Sequence, residues 1–180
     1  MAGRRRGGSI DAFDLVVRGA SVVGALDAAS LPRAADRLAP GGGAAGVSWR
    51  IVGTTDALGR SALEIRLDGN VPLVCQRCLQ AFAWPVAQRT LLLLARDGHE
   101  LAVLDDDDEH EVVLAEAPLD ALTLIEDELV LTLPFVPRCE RVECAAREQS
   151  FVKSEIAASP TSAFAALAGL RQDTAAKAKN

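Results

Sequence analysis

Val47-Ser48-Trp49-Arg50-Ile51, followed across Asp56-Ala57-Leu58-Gly59 by Leu63-Glu64-Ile65-Arg66-Leu67, decides the fold. Apolar side chains occupy the odd positions on both sides of the turn, and Ser48, Arg50, Glu64 and Arg66 occupy the even ones. Successive side chains of a strand point to opposite faces, so this pattern predicts two half-buried strands. A short turn with a glycine available for positive φ joins them, which is a β-hairpin signature. The odd face continues through Val71, Leu73 and Cys75, and alternation resumes at Phe82, Trp84 and Val86 up to Leu94. Pro72 and Pro85 lack the amide hydrogen that an interior ladder needs, which places them at edges or bulges.

Outward from this core, Ser21–Leu26 reads as a short strand. Pro32 opens a helix through Leu38, and Pro40-Gly41-Gly42-Gly43 is a loop. Gly98–Glu109, with Asp105-Asp106-Asp107-Asp108-Glu109, reads as a polar loop, and Glu111–Ala115 as a further strand. From Leu119 the period changes: Leu122, Ile125 and Leu129 fall at helical spacing. Asp120 is placed as N-cap, Glu126, Asp127 and Glu128 lie mostly on the wet side, and Pro134 and Pro137 end the helix. Phe164–Leu170 forms a short apolar helix. The expected fold class is α+β: a hairpin-rich antiparallel sheet with helices packed to one side. Residues 10–170 are expected to form a single domain, between a disordered basic tail at 1–9 and a flexible tail at 171–180.

The chain has 180 residues, 49% of them hydrophobic, enough for one core. Aromatics are only 4% and tyrosine is absent, so that core is built from Leu, Val, Ala and Ile. No apolar run approaches the ~20 residues of a membrane helix. Arg4-Arg5-Arg6 is followed by no apolar segment of the secretory type. The expected location is the cytoplasm, where thiols stay reduced. The net charge is −6, but the two tails carry +3 and +2, which leaves −11 on residues 10–170. An acidic body repels phosphate backbones and attracts basic proteins. RNA contact is therefore expected from the tails alone.

The chemistry-bearing residues are the cysteines. Cys75-Gln76-Arg77-Cys78 is a C-x-x-C pair, Cys139 and Cys144 form a C-x4-C pair, and there are no others. Two close pairs can supply four thiolates to one tetrahedral zinc. Plain thiols and a redox dithiol are the other readings. The redox reading is the weakest, because Cys75 lies in a strand context and not at the start of a helix after a βαβ unit. His99 and His110 flank the acidic loop, but contiguous aspartates usually just hold water. Trp49 and Trp84 could stack bases, but core or sheet-surface packing is the favoured reading. There is no G-x-S-x-G, no phosphate-binding glycine loop and no H-E-x-x-H. Nothing in the residues alone requires an enzyme.

Four stretches, taken together, carry a family resemblance. They are Val74-Cys75-Gln76-Arg77-Cys78-Leu79 through Phe82; Asp11-Ala12-Phe13 leading to Gly24-Ala25-Leu26 and Leu31-Pro32-Arg33; the acidic segment from Leu119 to Leu131-Thr132-Leu133-Pro134; and Phe164-Ala165-Ala166-Leu167-Ala168-Gly169-Leu170. In this order they resemble the bacterial YceD family, the large ribosomal RNA subunit accumulation proteins. The family ending usually has Asn-Pro before the Phe, where this chain has Ser162-Ala163. The position of Cys139 is often a His in relatives, and either residue can ligate zinc. The resemblance implies a role in accumulation of 23S rRNA and in making the large ribosomal subunit. It assigns no catalytic residue.

The expectation is thus a non-enzymatic ribosome-biogenesis factor, with one structural zinc on Cys75, Cys78, Cys139 and Cys144. It would act on the precursor large subunit through a basic ribosomal protein or an rRNA-processing factor, with no membrane and no small-molecule substrate. Glu126, Asp127, Glu128, Phe164, Leu167 and Leu170 are the candidate partner contacts. The alternative is a thiol- or zinc-dependent redox or hydrolytic enzyme using Cys75 and Cys78.

Overall fold

The computed structural model describes residues 8–106 and 110–144. The chain divides into two compact units, Met1–Arg138 and Cys139–Asn180. In the first unit the elements are β1 (Ser9–Ile10), α1 (Ala12–Arg18), β2 (Ser21–Asp27), α2 (Pro32–Ala35), β3 (Gly46–Thr55), β4 (Ser61–Val74), β5 (Ala81–Ala95), α3 (Gly98–Leu104), β6 (Glu111–Leu114), β7 (Leu119–Asp120) and α4 (Ala121–Thr132). A short 3₁₀ turn, Ala28–Ser30, follows β2. Of the second unit, the described residues are Cys139–Cys144. The Phe164–Leu170 helix, the 171–180 tail and most of the 1–9 tail lie outside the described residues. Ser9 belongs to β1, where it pairs with Asp120 of β7.

The fold is α+β. Its main sheet has the order β2-β3-β4-β5-β6 and is antiparallel except at one edge. The β3–β4 hairpin forms in the register that alternation dictates, with Ile51 opposite Ile65 and Trp49 opposite Leu67. Asp56 shapes its turn by accepting from the amides of Leu58 and Arg60, and Gly59 takes a φ of 79°. Val47, Trp49, Ile51, Leu63, Ile65 and Leu67 are all buried. They meet Leu15 of α1 and Leu124, Ile125 and Leu129 of α4 in one core. Arg50, Arg66 and Asp68 are exposed as expected, but Glu64 is not. Its carboxylate sits between Arg66 and Arg89, and the Arg66 hydrogen bond, ahead of that from Arg89, holds it below the usual range.

Both tryptophans serve packing. Trp49 is buried and lies over Gly24, where an added Cβ would come within 2.5 Å of the indole. Trp84 is partly buried and meets Phe82 edge to face, with ring centroids 6.3 Å apart. The prolines sit at local edges. β3 pairs with β4 only as far as Gly69, so Pro72 has β5 as its one strand neighbour, and on its other side its carbonyl accepts from the Ala39 amide. β5 meets β6 only over Leu92–Ala95, so Pro85 is likewise unflanked on one side.

Three expectations need correction. Gly98–Leu104 is a helix, and the polar loop is shorter than expected. Asp97 caps α3 by accepting from the amides of His99 and Glu100 at 2.9 and 2.8 Å, a local signal hidden among polar residues. β6 runs parallel to β5, which requires a crossover connection, and α3 lies in it. α2 ends at Ala35, after which the chain turns through Arg37 and Leu38 with short-range bonds. No described helix is long and apolar enough to cross a membrane.

Candidate metal centre and the acidic helix

β4 ends at Val74 and β5 begins at Ala81, so the C-x-x-C pair occupies the connection between the two longest strands. The loop closes on itself: the Cys75 amide donates to Gln80 O at 3.0 Å and the Leu79 amide to Cys75 O at 2.8 Å. Closure puts Leu79 in the left-handed region at φ 59°, uncommon for a residue with a branched side chain. Leu79 is also 73% exposed, so no packing accounts for its conformation. The Gln76 amide donates to Pro137 O at 2.8 Å, fixing the chain just ahead of Cys139. Within the second unit, Arg141 Nε donates to Cys139 Sγ at 3.3 Å.

The sulfur atoms of Cys75, Cys78, Cys139 and Cys144 all lie within 4.8 Å of one another. A tetrahedral zinc with bonds of ~2.3 Å spaces its sulfurs by roughly 3.8 Å. The observed grouping therefore fits such an ion with only a small contraction. Cys75, Cys139 and Cys144 are buried and Cys78 is half-buried, the closed surroundings of a structural site. Both cysteine pairs named from their spacing are thus brought together across the 60 residues that separate Cys78 from Cys139.

The acidic helix α4 differs from its expected role. Asp120 caps it as expected, accepting from the Thr123 amide at 2.8 Å. Glu126 and Glu128, however, face inward and are 8% and 3% exposed. Glu126 supplies a cap that α2 lacks. Leu31 stands at the N-cap of α2 and has no side-chain acceptor. Glu126 Oε1 takes its place, accepting from the Arg33 amide at 2.7 Å and the Ala34 amide at 3.4 Å, while Oε2 meets the Arg33 guanidinium. Arg33 also holds Asp127 at 2.5 Å, so one arginine and its own amide engage two neighbouring carboxylates. No local pattern announces this, because the partners are 93 residues apart. Replacing Glu126 with alanine should cost about 1–3 kcal/mol, since it orphans a buried amide. Glu126→Gln, which keeps an acceptor oxygen, should lose less. Urea unfolding of the two variants measures the difference, and equal losses would contradict the cap.

Glu128 accepts from the Thr90 hydroxyl of β5 at 2.5 Å. Burial pushes its carboxyl above the ordinary 4.5, and Glu111 on β6 and neighbouring Asp127 add to the rise, against the Thr90 bond. Between 4.5 and the raised value the folded state holds more protons than the unfolded one, so stability falls as pH rises through that window. Glu128→Gln should therefore melt above the wild type at pH 7. Its advantage should vanish below pH 4.5, where both states of the wild type are protonated. Melting curves over pH 3–8 test this, and an equal or lower melting temperature at pH 7 would refute it.

The family model for the large ribosomal RNA subunit accumulation protein YceD matches residues 63–171. The chain belongs to the YceD family. The match begins in β4, and it takes in both cysteine pairs and α4. No solved structure matches the chain. The YceD description ties the family to accumulation of large-subunit ribosomal RNA.

Proposed function

We propose that this YceD protein is a non-enzymatic factor for large-subunit assembly, supporting 23S rRNA accumulation from the cytoplasm. The family match over residues 63–171 carries this reading. The charge distribution supports a protein as the direct contact. A body of −11 is attracted to basic ribosomal proteins and repelled by bare RNA, with the basic tails as the exception. Burial takes Glu126 out of the outer contact surface on α4, since it bonds internally, and leaves Asp127 and its exposed neighbours there. The remaining contact candidates, Phe164, Leu167 and Leu170, lie outside the described residues.

The four cysteines would hold one structural zinc. Such an ion supplies a cross-link and no reaction, which suits a factor whose described residues offer no catalytic constellation. Zinc content and thiol titration separate this from redox chemistry. One zinc with four protected thiols is expected, whereas a reversible Cys75–Cys78 disulfide in the isolated protein would favour the redox reading.

The test of function is a pull-down at native salt, read by mass spectrometry and RNA sequencing. Precursor large subunits should be enriched over naked 23S rRNA, and recovery should fall as added salt screens exposed charge. A chain lacking residues 1–7 and 171–180 should still bind them. If that chain loses all binding while the tails alone hold 23S rRNA as well as the intact protein, the protein-partner reading fails.

A further inference from the structure

At the β6 edge of the sheet, α4 and β6 wall a largely apolar cavity of about 340 Å³. Leu92, Val113 and Leu131 line it, and three carboxylates, Glu111, Asp127 and Glu128, share the space with one cation, Arg33. Two features of this lining call for an occupant. Leu131 is a leucine on a helix, yet it is 66% exposed at the cavity wall. Glu128 is 97% buried, yet Thr90 is its one donor and no cation pairs with it among the described residues. Asp127 has Arg33, but Arg33 is already shared with Glu126. A nearly buried carboxylate without a cation is costly to keep, and the cost is recovered when a positive charge arrives.

We infer that this cavity receives a lysine or arginine side chain from a basic protein partner, with its aliphatic stem along Val113 and Leu131 and its charged head at Glu128 and Glu111. Long basic side chains join an apolar stem to a cationic tip, which is the pattern the lining complements. Nucleic acid is disfavoured because any phosphate placed there meets three carboxylates against the single Arg33, which is already engaged by Glu126 and Asp127. A metal ion is disfavoured because the Cys75, Cys78, Cys139 and Cys144 group is the only one among the described residues close enough for shared ligation. The inference rests on the reading of the protein as an assembly factor for basic ribosomal proteins, and it specifies how such a partner is held.

The test uses the full-length, isotope-labelled protein and an alternating Val-Lys hexapeptide as probe. A Val-Glu hexapeptide, spermidine and a 20-nucleotide RNA are run beside it. The Val-Lys peptide should shift the amides of residues 111–114 and 124–131. Its Kd should rise at least tenfold in Glu128→Gln and in 0.5 M salt. Leu131→Lys, a substitution at an exposed position, should block the site with a resident ammonium. Asp68→Asn, on the opposite sheet face, should change nothing. Equal affinity in Glu128→Gln and Leu131→Lys, or shifts elsewhere, would overturn the inference. So would binding of spermidine or RNA to these amides as tightly as the peptide.

Sedimentation with precursor large subunits separates this inference from the function it rests on. If the wild type fails to sediment with them while the peptide behaves as described, the site stands and the assembly reading falls. If the wild type and both cavity variants sediment equally, the site falls and the assembly reading stands.

Discussion

Replacing Cys75 with serine is expected to strip zinc from the protein and lower its stability by about 3 kcal/mol, or ~10 °C in melting temperature. Cys75 is fully buried and is the first residue of the closed loop between β4 and β5. Its sulfur is one of four within 4.8 Å of each other. Serine offers a hard, largely protonated oxygen in place of a soft thiolate, so the remaining three ligands would hold zinc far more weakly. The loss should stay local. The β3–β4–β5 sheet has its own core around Ile51, Leu63 and Ile65, and that core needs no metal to form. This protein should therefore differ from a small zinc finger, which unfolds outright without its ion. Metal analysis and thermal melts check both halves. A Cys75→Ser protein that keeps a full equivalent of zinc would rule out the four-thiolate site. A wild type purified without zinc, and unaffected by added zinc, would do the same.

The contrast between this centre and the acidic helix shows what the sequence made readable. The hairpin was legible because strand burial repeats every second residue, and Val47 to Leu67 keep that period without a break. The cysteines were legible because ligand spacing is a local property of each pair. Glu126 and Glu128 misled because charge alone cannot tell a solvated carboxylate from one serving a distant backbone. The α2 amide and the Thr90 hydroxyl that donate to them come from elements 93 and 38 residues away. α3 was missed for a different reason: its cap is one aspartate in a run of polar residues, and the helix buries no residue fully. The helix α1 did carry a readable signature, with Asp11 as N-cap and Gly19 as left-handed C-cap. With only seven residues between these caps, too little of an apolar period repeats to announce a helix.

Gly53→Ala is expected to cost about 3 kcal/mol, because backbone of α1 already fills the space of the added methyl. In β3, Gly53 stands on the odd, inward face, after Val47, Trp49 and Ile51 and opposite Leu63 of β4. The missing side chain lets α1 lie directly on the strand. A Cβ there would come within 2.2 Å of the Leu15 carbonyl carbon, 2.3 Å of its oxygen and 2.4 Å of the Val16 nitrogen. These are backbone atoms, so no rotamer change relieves the overlap. Either α1 lifts from the sheet or β3 bows away from it. Lifting α1 exposes Ala12 and Leu15, which are 3% and 7% exposed in the native fold, and strains the bond from the Gly53 amide to Ala20 O. Gly46→Ala in the same strand is the control. Nothing lies within 4 Å of its added Cβ, so it should change stability by no more than ~0.5 kcal/mol. Urea unfolding of the pair decides the matter. Comparable stabilities for Gly53→Ala and Gly46→Ala would show that α1 does not rest on β3 through the gap at residue 53.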